Sequence, residues 1–459
     1  MDVLFGSATD AAALLRRGEL SARELTEAQL ARVDAVNPAL NAVVEVRRDA
    51  ALTAADEADA ALARGEDVGP LHGVPTTVKD CLDVAGMRTT WGVPAFADFV
   101  AAEDATVVRR LAAAGATVFG KTNPHEMLGD YGQTVNDVYG RTNNPWDVTR
   151  TPGGSTGGGA AAVAAGLSFV EYGSDLVGSI RIPASFCGVY GLRPSADTVP
   201  LTGLRVPRTP HAPSEWLYLS TIGPLTRSAA DLRSVLRATA GPEGVAARAY
   251  SWRLPEPRHT RLADYRVGVV LDHPSAPVSS EVAAVLSNAV DALGRAGAKV
   301  VEGWPDGIDP DRHAETFGFH VGLFFAFQQS GHDFAPLSEV IEQENLRMAS
   351  RTAWERYFAD VDVLLCPTNF TPAFPHDTRP FGERVIATPE GDRPYDAQPF
   401  WVAHAALPGL PAVSAPVGRT ASGLPVGAQV IGPRLEDDTA ITFAELLADV
   451  VGGYERSPA

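Results

Sequence analysis

Over the first seventy residues the apolar positions fall at helical spacing. Ser21 stands three residues ahead of Glu24, the arrangement in which side chain and backbone cap each other, and the amphipathic run Leu25–Val36 follows. Asp49–Ala63, rich in alanine and acidic residues, predicts a second helix, so this part reads as a helical layer. From Val74 short apolar segments alternate with amphipathic ones: a strand-like segment carrying Lys79, a helix over 105–114, then a strand over 116–120. The rhythm returns later. Tyr265–Leu271 and Ala298–Gly303 predict strands on either side of a helix, Val278–Ala296. Asp362–Cys366, Ala412–Ala415 and Val426–Ile431 predict further strands before a last helix over 438–451. Strand, helix, strand in succession belongs to a sheet covered by helices, and the expected class is α/β with a mixed, largely parallel central sheet.

Three stretches fit neither period. Pro242–Pro257 is polar and interrupted, and Thr371–Pro399 is rich in proline, glycine and charge; both predict surface excursions near the mouth of a site. Thr151–Pro194 differs in kind, because glycine, serine and threonine are packed into it beyond what turns require. Its two glycine-rich loops, 153–159 and 173–179, flank an alanine-rich run, 160–165, with strong helix propensity. Backbone N–H groups can therefore approach a ligand at both ends of one helix-strand unit. Each loop carries a serine in a glycine setting, Ser155 and Ser179.

Composition narrows the partners. The 459 residues are 45% hydrophobic and 20% charged, ordinary for a packed core, while 43 Gly and 35 Pro indicate many ordered loops. A net charge of −18 with no Lys/Arg cluster argues against nucleic acid as a partner, and none is expected. Phe317–Phe327, interrupted by His320, is too short to span a bilayer, and MDVLFGSATD has no basic start before an apolar run; a cytoplasmic protein with no membrane partner is expected. Cys81, Cys187 and Cys366 offer neither metal-ligand spacing nor a disulfide framework. Asn123-Pro124-His125-Glu126 lacks the second histidine of a zinc-protease motif, so neither metal nor other cofactor is expected. A homodimer stays open.

A hydrolase that works without a metal needs a nucleophile, a base and N–H donors for the oxyanion. Gly153–Gly157 matches G-x-S-x-G, which would make Ser155 the nucleophile of an elbow, but that turn needs an apolar strand running into the serine and Asn143–Asp147 is turn-rich. A phosphate-binding loop fits less well, since no Lys-Ser/Thr pair follows the glycines. Taken singly, Lys79 beside Asp80 reads as a surface ion pair and Asp175 with Arg181 as a structural one. Their joint order says more. GGSTGG from Gly153, GSDLVGSIRIP from Gly173, and Gly73-Val74-Pro75-Thr76-Thr77-Val78-Lys79-Asp80 with Val84-Ala85-Gly86-Met87 behind it resemble the three blocks of the amidase signature family. Gly120–Asn123, Asn144–Trp146, Leu407–Pro411 and Gly423–Gly427 extend the resemblance over most of the chain, leaving 240–400 unfixed.

The resemblance implies one domain, 1–459, with its sheet sandwiched by helices on both faces: a helical layer (1–70), a signature core (71–240), a variable region (241–400) and C-terminal strands and helix (401–459). It implies an amidase that cleaves a small-molecule amide to acid and ammonia or amine, with Ser179 as nucleophile, Ser155 as proton relay and neutral Lys79 as base. Neutrality requires that Lys79 be desolvated. The backbone N–H groups of Leu176, Val177, Gly178 and Ser179 would hold the oxyanion, the Gly154-Ser155 bond would be cis, and Asp175 and Arg181 would shape the loop. Thr156 replaces a second serine and Cys81 an asparagine. Val177 replaces a glycine, which would strain or narrow the loop if that position requires positive φ. Met127, Leu128 and Tyr131 are implied to contact the acyl group, and Phe317, Phe319, Phe324, Phe325, Phe327 and Trp401 are candidates for an apolar pocket. The alternatives are a glutaminase subunit of a tRNA-dependent amidotransferase, and an acyltransferase, cyclase or non-hydrolytic descendant.

Overall fold

In a computed structural model of the chain, residues 3–66, 68–208, 219–328 and 334–459 are described, apart from the side chains of residues 327 and 328. The capping box at Ser21 and Glu24 forms as the spacing predicts, and it opens the helix Ala22–Leu40, which continues past Val36 through Pro38. The second predicted helix is Arg48–Ala63.

Eleven strands make one continuous sheet. From edge to edge they are Val43–Val46, Thr117–Thr122, Pro75–Lys79, Val170–Asp175, Thr221–Thr226, Tyr190–Arg193, Ala412–Arg419, Pro425–Ile431, Val363–Pro367, Arg266–Val269 and Lys299–Glu302. Parallel pairing occurs in two flanking blocks, where a helix carries the chain back across a face: Thr106–Ala113 leads into Thr117–Thr122, and Ser280–Arg295 into Lys299–Glu302. These are the segments whose strand-helix-strand rhythm is plain in the sequence. The middle of the sheet, from Val170–Asp175 to Val363–Pro367, pairs antiparallel; there Ala412–Arg419 and Pro425–Ile431 are joined by a short connection, while other neighbours are strands distant in the chain.

Both faces are covered. Val118 and Phe119 are adjacent on one strand and so point to opposite sides; Val118 joins a core cluster with Leu232, Leu286 and Leu447, and Phe119 joins a second with Leu30, Ala51 and Val163. The helix Gly157–Ala164, made of glycine, alanine and one valine, is buried along its whole length. Only side chains this small let it lie flat between the sheet and the N-terminal helices. It is this packing that brings the two glycine-rich loops together.

The two predicted excursions have different places. Thr371–Pro399 does reach the site: Tyr131 stacks with Tyr395 at 5.9 Å and meets Phe381 edge-on at 5.8 Å. Pro242–Pro257 does not. Its start is tied to the helix Thr106–Ala113 by Arg110, which donates to the carbonyls of Gly241 and Pro242, and none of its residues lines the cavity described below.

Candidate active site

Lys79 is the last residue of its strand and is fully buried, with Val78 and Val84 in the core beside it. Its Nζ lies 2.7 Å from Ser155 Oγ, 3.0 Å from Thr156 Oγ1 and 3.0 Å from Ser174 Oγ. These three hydroxyls match the three N–H directions of an ammonium, yet none carries charge. Burial pulls the amine down to about 8, against the pull of Cys81, Glu171 and Asp175. Cys81 is pushed by burial up to about 11 and stays a thiol, so the asparagine-to-cysteine change adds no thiolate beside the lysine. The Gly154–Ser155 peptide is cis.

The second loop is built around a buried ion pair. Arg181 holds Asp175 bidentately, Nη2 to Oδ1 at 2.8 Å and Nε to Oδ2 at 3.0 Å, and its Nη1 reaches the carbonyl of Val402 and Gln429 Oε1. Burial alone would raise the Asp175 carboxyl; the Arg181 charge and its hydrogen bonds overcome this and hold it well below the usual carboxylate range. Asp175 also accepts from the backbone N–H groups of Gly178 and Ile180. The Gly178 N–H is therefore engaged by a carboxylate. Among the described residues the N–H groups of Leu176, Val177 and Ser179 make no hydrogen bond, which narrows the four expected oxyanion donors to three. Sequence alone could not separate them, since all four N–H groups lie within four residues after Asp175 and the turn decides which one its carboxylate takes.

The left-handed position in this loop is Gly178, at φ 86°, where a Cβ would also meet Ile182 Cδ1 at 2.9 Å. Val177 is not among the positive-φ residues, so it narrows the loop without straining it. The two loops are joined directly: Thr156 N–H donates to the carbonyl of Ser179 at 3.1 Å.

Ser179 is 4% exposed and opens on a cavity of about 400 Å³. Of the expected contacts, Leu128 and Tyr131 line it, and so do Phe317 and Phe325. Met127 does not: its backbone is left-handed at φ 51° and its side chain turns outward, 39% exposed. Phe319, Phe324 and Trp401 also lie outside the lining, Phe319 against Phe334 and Trp401 fully buried against Trp304, while the side chain of Phe327 is outside the described residues. The side chains of Leu176 and Val177 complete an apolar wall with Val321, Phe400 and Ala403, three residues that the sequence did not single out. Two carboxylates also line the cavity, Asp396 and Asp130, the latter paired with Arg384 at 2.5 Å. No lysine or arginine lines the cavity among the described residues.

Known proteins match the chain from end to end. The family pattern described as Amidase matches residues 24–315 and 327–441. The A-type component of a glutamyl-tRNA(Gln) amidotransferase from Prochlorococcus marinus (strain MIT 9313) is 34% identical, over 96% of this chain and 97% of its own. An acylamidase from Rhodococcus erythropolis is also 34% identical, over 99% and 97%. A bacterial aryl acylamidase of the amidase signature enzymes shares the fold, with a TM-score of 0.82 at 24% identity over 97% and 96% of the two chains. The stretch that the family pattern leaves out, 316–326, carries part of the cavity wall, including Phe317, Val321 and Phe325. Lys79, Ser155, Ser179 and the side chains hydrogen-bonded to Lys79 lie inside the match, and the chain belongs to the amidase signature family.

Proposed function

We propose that this amidase-family enzyme hydrolyses a neutral amide with an apolar acyl group through an acyl-enzyme on Ser179. The observation that carries the reading is a buried Lys79 whose amine, pulled down to about 8, touches Ser155 and has no carboxylate in contact. About one molecule in ten then holds a neutral amine at pH 7. That amine accepts the Ser155 proton as Ser155 takes the proton of Ser179, and Ser179 Oγ attacks the amide carbon. The developing oxyanion faces the unengaged N–H groups of Leu176, Val177 and Ser179. The proton returns through Ser155 to the leaving nitrogen, ammonia or amine departs, and water hydrolyses the ester by the same relay. The apolar wall formed by Phe317, Val321 and Phe325 supports an apolar acyl group.

A second reading, glutamine hydrolysis within an amidotransferase, has the similarity to amidotransferase components in its favour. It would bring the chain close to tRNA in spite of its net charge of −18. The cavity weighs against it, because glutamine presents a carboxylate and no cation lines the wall among the described residues. Acyl transfer or cyclisation rested on Val177, and that support weakens with its ordinary φ. The test is release of ammonia or amine from a panel running from hexanamide to glutamine, with mass spectrometry of a fluorophosphonate adduct. Hydrolysis of hexanamide with the adduct on Ser179 supports the reading; glutamine as the sole substrate, or an adduct on Ser155, overturns it.

A further inference from the structure

Glu171 takes no part in the reaction described above, yet it lies in the same buried layer. It is fully buried, and neither oxygen touches a cation: Oε2 accepts from Thr77 Oγ1 and Oε1 from Thr122 Oγ1, both at 2.6 Å. Strand register fixes its place. Glu171 pairs with Thr77, which stands two residues from Lys79 on the same strand, so the carboxyl and the amine occupy the same side of the sheet. The helix Gly157–Ala164 closes over it, and a Cβ at Gly159 would come within 2.3 Å of Glu171 Cγ. Two threonines and a glycine thus build a compartment for one carboxyl group.

The titratable groups acting on Lys79 are Cys81, Glu171 and Asp175; on Glu171, Lys79 alone. Asp175 is neutralised by Arg181 at 2.8 Å, and Cys81 stays protonated. That leaves Glu171 as the unneutralised partner of Lys79. A dry layer disfavours net charge, so an ammonium with a carboxylate, or an amine with a carboxylic acid, is favoured over either charge alone.

We propose that Glu171 is a positioning residue that shares one proton with Lys79, so that its ionisation sets how readily Lys79 accepts the proton of Ser155. The balance is one proton over two sites, and either placement of it leaves the layer neutral. Burial pushes Glu171 up to about 7 against its threonine donors and Lys79, close to where Lys79 itself is pulled. The inference rests on the amidase reading for its consequence, but the shared proton can be read without turnover.

The chain has three lysines, Lys79, Lys121 and Lys299. In protein carrying 13C at lysine Cε, the signal lost in Lys79→Met identifies Lys79, and its chemical shift against pH reads its ionisation. Expected is a midpoint that falls by about one pH unit in Glu171→Gln, since a lost carboxylate no longer favours the ammonium. Thr122→Val, which weakens the carboxylate form, should shift it the same way by less, and it carries the test if Glu171→Gln does not fold. The rate of fluorophosphonate labelling of Ser179 should move to lower pH in parallel. A midpoint unchanged or raised in both variants would make Glu171 a packing residue and overturn the proposal. Absent labelling with a shifted midpoint would instead remove the amidase reading and leave the shared proton standing.

Discussion

Replacing Val177 by glycine restores the residue that the family pattern has in the oxyanion loop, and the structure predicts a loss. Val177 has ordinary backbone geometry, is partly buried, and packs against the cluster of Leu219, Phe317, Ala403, Ala406 and Leu407 while facing the cavity. Its three side-chain carbons are worth about 0.8 kcal/mol each when fully buried; with roughly half that burial the loss is about 1 kcal/mol. Added backbone freedom costs a further ~0.5–1 kcal/mol, so the variant should be less stable by about 2 kcal/mol, read as a lower midpoint in urea. The same carbons form part of the wall for an apolar acyl group. A lost contact of about 1 kcal/mol lowers kcat/KM for hexanamide roughly fivefold, with little change for acetamide, which does not reach the wall. Steady-state kinetics of the two proteins on both amides decide the matter. A misplaced oxyanion donor typically costs ~10²–10³ in rate, so a gain of that size in the glycine variant on acetamide would refute the reasoning and show that valine obstructs the donors.

Ser179→Ala should lose the fluorophosphonate adduct and amide turnover while keeping the wild-type urea midpoint, since only the attacking oxygen leaves. The rate of acylation should rise with pH through about 8, where Lys79 loses its proton, and Lys79→Met should abolish that rise; a wild-type profile flat from pH 6 to 10 would remove lysine as base. The same group affects stability. Its folded value lies below the ordinary 10.5, so between about 8 and 10.5 the unfolded chain binds the extra proton, and stability should rise with pH across that window in wild type minus Lys79→Met. Asp175→Ala leaves Arg181 buried without its carboxylate and should destabilise by about 3–5 kcal/mol in chemical denaturation, more than an exposed pair such as Arg208 with Asp98, whose removal should go unnoticed.

The local chemistry was largely legible in the sequence. Helix and strand periods found the two βαβ blocks, the N-terminal helices and the last helix, because each is amphipathic or uniformly apolar on its own. The antiparallel centre of the sheet was not legible, since pairing direction is decided by how the chain returns and not by the period of the strand. At the site, the motif blocks pointed to Lys79, Ser155 and Ser179, and the structure brings Lys79 to Ser155 and ties the two serine loops together. Met127 escaped because a neighbour of a pocket residue on a tight turn need not share its direction, and Val321, Phe400 and Ala403 because they come from remote helices whose apolar spacing looks like ordinary core. Glu171 was passed over for a similar reason: the threonines that receive it lie on two other strands, 94 and 49 residues away.

The lysine census has a practical side. Lys79 and Lys121 are fully buried, and Lys299, the exposed one, begins the edge strand at the opposite flank of the sheet. Among lysines, a water-borne activated ester should therefore find one address. Coupling through it would tether the enzyme to a bead or a sensor surface by the edge of the sheet furthest from the strand of Lys79.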